Sequence, residues 1–156
     1  HSLSKRSNLP GLRSGFAASG PKNIKEMKQL RNYSGAPNPT PLQAVAAAAW
    51  SDEDHVVENR KLYQKKYQIA DDIFKNIKGY NAPQAGFFLW LPVENDEQAT
   101  LNLWKQSGIR VLPGSYLSRN VDNKNPGEKY IRVAMVAPFG ETKLGLQTIK
   151  DNLYTL

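Results

Sequence analysis

With 156 residues, 40% of them hydrophobic and 10% aromatic, the chain is long enough to bury a core and to withdraw roughly 70% of its unfolded surface from water. The absence of Cys excludes disulfides, thiolate metal sites and Cys nucleophiles, and two distant histidines leave no expected metal site. The formal charge of +7 is concentrated: residues 1–33 carry seven of the 21 Lys and Arg and one acid, Glu26, a balance that suits anionic ligands.

Residues 1–15 are rich in Ser, Pro and Gly without a period, and read as an ordered loop. Residues 16–18 read as a short strand that Ser19-Gly20 ends. Pro21 then opens a helix with Ile24, Met27 and Leu30 on one face, followed by a connector over 32–39. Thr40-Pro41-Leu42-Gln43 has the form of a helix start, with Thr40 as N-cap and Gln43 closing a capping box. Ser51 with Asp52, Glu53 and Asp54 opens the next helix, the acids complementing its N-terminal dipole. Val56, Tyr63, Tyr67, Ala70, Phe74 and Ile77 form its buried stripe, on a helix expected to end near Gly79 after about 27 residues, roughly 40 Å.

Beyond Gly79 the texture changes. Residues 86–91 read as an apolar strand, 96–106 as a helix, 109–112 as a strand closed by Pro113-Gly114, 129–136 as an alternating strand and 141–153 as a helix. The second half is therefore expected to be a small antiparallel or mixed sheet covered by helices. No run of 18 apolar residues occurs, so no membrane-spanning helix is expected. Aromatics are not interleaved with the basic residues, so nucleic acid is not an expected partner either. No signal-peptide pattern is read, and a cytoplasmic location is expected.

The run Ser2-Leu3-Ser4-Lys5-Arg6-Ser7-Asn8-Leu9-Pro10-Gly11-Leu12-Arg13-Ser14-Gly15 carries the chemistry. A lysine lies between small hydroxyl residues, and a guanidinium follows eight positions later beyond a Pro-Gly turn. Such a set can hold an aldehyde that bears a phosphate: the amine bonds to the carbonyl carbon, and hydroxyls and guanidinium receive the phosphate oxygens. A lysine of this kind attacks uncharged, a state cationic neighbours favour, and Arg6 and Arg13 are the cations at hand. A lysine beside an arginine in a Ser-rich loop is equally what an exposed surface charge looks like.

The run resembles the cofactor-lysine signature of the class I aminotransferases, pyridoxal-phosphate enzymes of the aspartate aminotransferase fold. The hydroxyl three before the lysine, the small residue one before, the arginine eight after and the glycine that follows are Ser2, Ser4, Arg13 and Gly15; Ser14 departs mildly from the usual aliphatic residue. The resemblance implies that Lys5 is the catalytic residue, bonded to pyridoxal 5′-phosphate and later moving a proton between substrate and cofactor carbons. It implies that Ser2, Ser4, Lys5 and Arg13 bind the cofactor, with Ser2 and Arg13 on its phosphate. The stretch from Lys129 to Pro138 is similar to the family's late strand, whose arginine grips the substrate α-carboxylate. That position is Arg132, on the strand face opposite Ile131 and Val133. The segments containing Gly108, Gly114 and Tyr116, and Gly86 to Trp90, agree with the family pattern, and only Gly114 and Tyr116 are expected near a substrate mouth.

The implied fold class is α/β, and α+β within this stretch: residues 1–50 as the C-terminal end of a large cofactor-binding domain, 51–79 as an interdomain helix and 80–156 as the small domain. The implied reaction is amino transfer between an amino acid, glutamate expected, and a keto acid, in a homodimer. The phrasing of the lysine run, with Pro39 to Gln43 and the Trp50-bearing alanine helix, is most similar to bacterial succinyldiaminopimelate aminotransferases of lysine biosynthesis. Another pyridoxal-phosphate enzyme of the same fold, such as a carbon–sulfur lyase, and a non-catalytic basic binding module are the alternatives. By the resemblance, the aspartate that faces the pyridine nitrogen, the stacking aromatic and the glycine-rich phosphate loop belong to a preceding segment. The chain alone is then expected to bond weakly to the cofactor without turning over.

Overall fold

In the computed structural model, which describes residues 1–35 and 37–155, the chain divides into two units, His1–Arg60 and Lys61–Leu156. The division falls inside one continuous helix.

The first unit holds α1 (Leu3–Arg6), a 3-10 turn (Pro10–Leu12), α2 (Pro21–Ser34), α3 (Thr40–Ser51) and the start of α4 (Asp54–Phe74). Residues 1–15 are therefore more ordered than a loop, with a helical turn at the lysine. Residues 16–18 form no strand: pairing at that end is limited to the Ser2–Gly15 bridge and the bonds that Phe16 exchanges with His1, too short a ladder to make one. Pro21 opens α2 as expected, because its fixed φ is already helical. The helix runs on to Ser34, into the stretch read as connector, and that connector lies partly outside the described residues. Thr40 is the first helical residue rather than the cap. The Gln43 side chain reaches back to the Asn38 carbonyl at 2.7 Å, so no capping box forms. Ser51 likewise closes α3 instead of opening α4; the Asp52 carboxylate accepts the Asp54 amide at 2.9 Å and caps the new helix. Leu3, Ala46 and Val56 are the buried apolar residues of this unit among those described.

In the second unit, α4 presents Ala70 and Phe74 to a core completed by Leu89, Leu91, Leu103, Ile131, Val133, Met135, Leu146 and Ile149. Each large side chain buried there contributes about 1.5–3 kcal/mol. The helix has 21 residues and spans about 32 Å. It stops at Phe74 because the chain tightens, Ile77 N–H bonding the Phe74 carbonyl at 2.8 Å, so Ile77 packs from a turn. The sheet is antiparallel, in the order β1 (Phe88–Pro92), β3 (Tyr130–Ala134), β2 (Leu112–Pro113). Residues 109–111 stay outside the ladder, which engages only at Leu112 opposite Arg132 and Pro113 opposite Ile131. Between β1 and β2 lies α5 (Asp96–Ser107), capped by the Asn95 side chain on the Gln98 amide and ended by Gly108 at φ +70°. The chain closes with α6 (Phe139–Leu153).

Period-two alternation gives the sheet two faces. Leu89, Leu91, Ile131 and Val133 enter the core, while Phe88, Trp90, Tyr130, Arg132 and Leu112 line the other side, half-buried or exposed. Gly114 is buried where the 3-10 turn Gly114–Leu117 meets the loop before β3. A Cβ there would lie 2.1 Å from the Gly127 carbonyl oxygen and 2.9 Å from the Trp90 ring, so only glycine fits. Gly114 is buried by this packing, whereas Tyr116 stands exposed.

Candidate active site

The lysine run is folded back on itself. The Ser2–Gly15 bridge is flanked by Phe16 N–H bonding the His1 carbonyl at 2.9 Å and Leu3 N–H bonding the Ser14 carbonyl at 3.1 Å. Gly15 is required for this closure, since a Cβ would stand 2.5 Å from the His1 carbonyl oxygen. Inside the loop, Ser2 caps α1 by accepting the Ser4 amide at 3.2 Å, and Leu3, fully buried, anchors the turn. Lys5 sits on that turn and is exposed.

Arg13 follows the 3-10 turn in the left-handed region, φ +48°, a conformation that costs a side-chain-bearing residue about 1–2 kcal/mol. Two bonds to the Pro10 carbonyl, from its own amide and from Nη1, and one from Asn38 Nδ2 to its carbonyl at 3.1 Å hold it there. Its side chain borders a cleft of about 710 Å³ shared with Phe16, Arg31, Gln43 and Trp50. The structure thus places Ser2, Ser4, Lys5 and Arg13 on one closed loop of the first unit. An amine, two hydroxyls and a guanidinium are the donor set that an aldehyde bearing a phosphate requires, and these residues fit pyridoxal phosphate.

Arg6, read as a cation acting on Lys5, is committed elsewhere. Its guanidinium bonds the carbonyls of Ala49 at 2.8 Å, Asp52 at 3.2 Å and Trp50 at 3.4 Å, pairs with the Glu53 carboxylate, and lies over the Trp50 ring. Beside it, His55 bridges Asp52 and Ser7, with Nδ1 2.8 Å from Asp52 Oδ2 and Nε2 2.9 Å from Ser7 Oγ. The bond from His55 holds the Asp52 carboxyl below its ordinary value of 3.8. This cluster was not legible in the sequence, because the contacts of Arg6 and Ser7 with residues 49–55 span 43 to 48 positions.

Arg132 belongs to the second unit, at the middle of β3 opposite Trp90 and Leu112, half-buried on the face away from the core. Its guanidinium stacks on Phe88, Cζ 4.2 Å from the ring centroid. No carboxylate pairs with it among the described residues. Phe88 is a neighbour that alternation along 86–91 could have supplied, since it shares a face with Trp90.

Comparison with solved structures defines the class: the fold is that of the aspartate aminotransferases. An aminotransferase from Neisseria meningitidis superposes with a TM-score of 0.88 and 41% identity over 95% of this chain and 38% of its own. AspB from Helicobacter pylori gives 0.86 and 35% over 96% and 38%. The family model described as Aminotransferase class I and II matches residues 1–144, and the chain belongs to that family, which depends on pyridoxal phosphate. Among curated relatives, the 4-dedimethylamino-4-oxo-anhydrotetracycline transaminase OxyQ of Streptomyces rimosus is 32% identical over 88% of this chain and 37% of its own length. An LL-diaminopimelate aminotransferase of Dehalococcoides mccartyi is 30% identical over 97% and 39%. The chain therefore spans less than two fifths of the length of these two relatives. Among the described residues, no helix is long and apolar enough to cross a membrane.

Proposed function

We propose that this chain is the C-terminal part of an aminotransferase that moves an amino group from glutamate to a keto acid of the diaminopimelate type, as a succinyldiaminopimelate aminotransferase of lysine biosynthesis does. The reading is supported by the closed loop, in which the Ser2–Gly15 bridge joins the two ends of the run that carries Lys5 and Arg13. Relatives named LL-diaminopimelate aminotransferase support a diaminopimelate substrate class. The sparse core of the first unit, with Phe16 49%, Leu30 65% and Tyr33 84% exposed, supports its being the end of a larger domain. Residues 1–50, 51–79 and 80–156 are then the end of the large domain, the interdomain helix and the small domain of a cytoplasmic homodimer.

When bound, pyridoxal phosphate supplies an electron sink for charge left on the substrate α-carbon. The chain's own residues do the rest. Lys5 Nζ would hold the cofactor until substrate binds and, once released as a free amine, would move the proton between the substrate α-carbon and the cofactor carbon. Ser2 and Arg13 would receive the phosphate, Ser4 would complete the cofactor-binding set, and the Arg132 fork would grip the α-carboxylate bidentately. In the full-length protein assayed with glutamate and the succinylated keto acid, Lys5→Ala should abolish turnover and covalent cofactor retention. Turnover surviving that substitution overturns the assignment, and rejection of the succinylated acid in favour of another keto acid overturns the substrate class.

A further inference from the structure

Four residues make one helical turn, and an isolated turn does not persist in water. The N-terminal side of α1 is held by the buried Leu3 and by the Ser2–Gly15 bridge. The opposite side is held by the two residues that follow Lys5. The C-terminal carbonyls of a helix lack partners within it and carry the negative end of its dipole, so the end of α3 is a place for a cation. Arg6 fills it, its side chain 16% exposed, with donors on Ala49, Trp50 and Asp52 and on the Glu53 carboxylate. Ser7 is tied independently. Arg6 can only donate and the Asp52 carboxylate can only accept, so with a neutral imidazole one arrangement gives every proton a place. Ser7 Oγ accepts from Arg6 Nη1 at 3.2 Å and donates to His55 Nε2, while His55 Nδ1–H donates to Asp52.

We propose that Arg6 is a positioning residue for Lys5: its guanidinium clamps the lysine turn to the carbonyl end of α3, with the Asp52–His55–Ser7 chain as a second tie. The proposal rests on Lys5 being the cofactor-bearing lysine. A planar fork with five donors can serve three carbonyls and a carboxylate at once, and a lysine ammonium cannot. A small displacement of a reacting group, about 1 Å, costs on the order of 100-fold in rate.

The test uses the full-length enzyme with Arg6→Ala, Arg6→Lys and Lys5→Ala. Three readouts apply: kcat and KM for the amino donor, hydrogen exchange of the cofactor-free protein, and borohydride trapping of cofactor on the chain. Both Arg6 variants should lower kcat about 10- to 100-fold with KM nearly unchanged, as loss of orientation requires. They should raise amide exchange over residues 3–9 while leaving the amides of 88–134 as in the parent. Unchanged exchange over 3–9, full rescue by Arg6→Lys, or a uniform rise across the chain overturns the clamp. If Arg6→Ala does not accumulate as folded protein, Arg6→Lys and His55→Gln carry the same exchange measurement. Trapping lost in Lys5→Ala but exchange unchanged in the Arg6 variants sinks the clamp alone; trapping retained in Lys5→Ala sinks the lysine assignment and the clamp with it.

Discussion

Gly15 shows how a single residue sets the geometry of the lysine loop. The His1 carbonyl occupies the space a side chain would take, 2.5 Å from the Cβ position, so Gly15→Ala must open the Ser2–Gly15 bridge. We expect the full-length Gly15→Ala variant to lose about 1–3 kcal/mol of stability, a range typical of strained positions, and to release cofactor faster in dialysis. Retention equal to that of the parent would show that the bridge does not shape the site. At Arg132 the question is fork against point charge. Charge-assisted hydrogen bonds contribute about 1.5–3 kcal/mol, so Arg132→Lys should raise KM for the amino donor roughly 10- to 150-fold. A melting temperature close to the parent's would assign that change to binding, because the residue stacks on Phe88 and has no ion-pair partner among the described residues.

Elements were legible where local chemistry decides them and obscure where distant partners do. The helix read at 96–106 forms as α5 because Asn95 caps it and Gly108 can turn left-handed after it, both local signals. The strand read at 16–18 fails for the opposite reason: its pattern is acceptable, but the pairing stops at the bonds between Phe16 and His1. Thr40 and Ser51 carry good capping side chains, yet Asn38 and Asp52 hold the positions from which a side chain or carbonyl can reach the helix. The candidate site divides the same way. Lys5, Arg13 and Arg132 enter as candidates through a resemblance carried by short local runs, whereas Arg6 and His55 matter through contacts that only the fold creates. At the head of α5, burial alone would raise the Asp96 carboxyl, but hydrogen bonds led by those from Ser115, whose amide lies 2.9 Å from Oδ2, outweigh it and hold the group below 3.8. A carboxyl depressed by folding stabilises fully above its unfolded value and loses that contribution as pH falls through the folded one. The stability gap between parent and Asp96→Asn should therefore be widest near neutrality and close on acidification below about 4. A gap independent of pH would assign the effect to packing.

Over the whole molecule the two units differ in how much apolar surface they bury. The core cluster of the second unit joins α4, the sheet, α5 and α6, while the buried apolar residues described in the first are Leu3, Ala46 and Val56. Expressed as it stands, the chain should protect amides of 88–153 in hydrogen exchange and exchange rapidly over 1–51. Mixed with pyridoxal phosphate it should show no transamination, because part of the site is expected to come from other residues. Equal protection in both units would show that the first needs no further cover. The brevity of β2 bears on how the molecule behaves in a crowd. On that flank of the sheet the ladder is two residues long, and Pro113 brings no N–H of its own. It gives a foreign polypeptide little to zip onto, so amyloid-like growth has one open flank, the five-residue β1, rather than two.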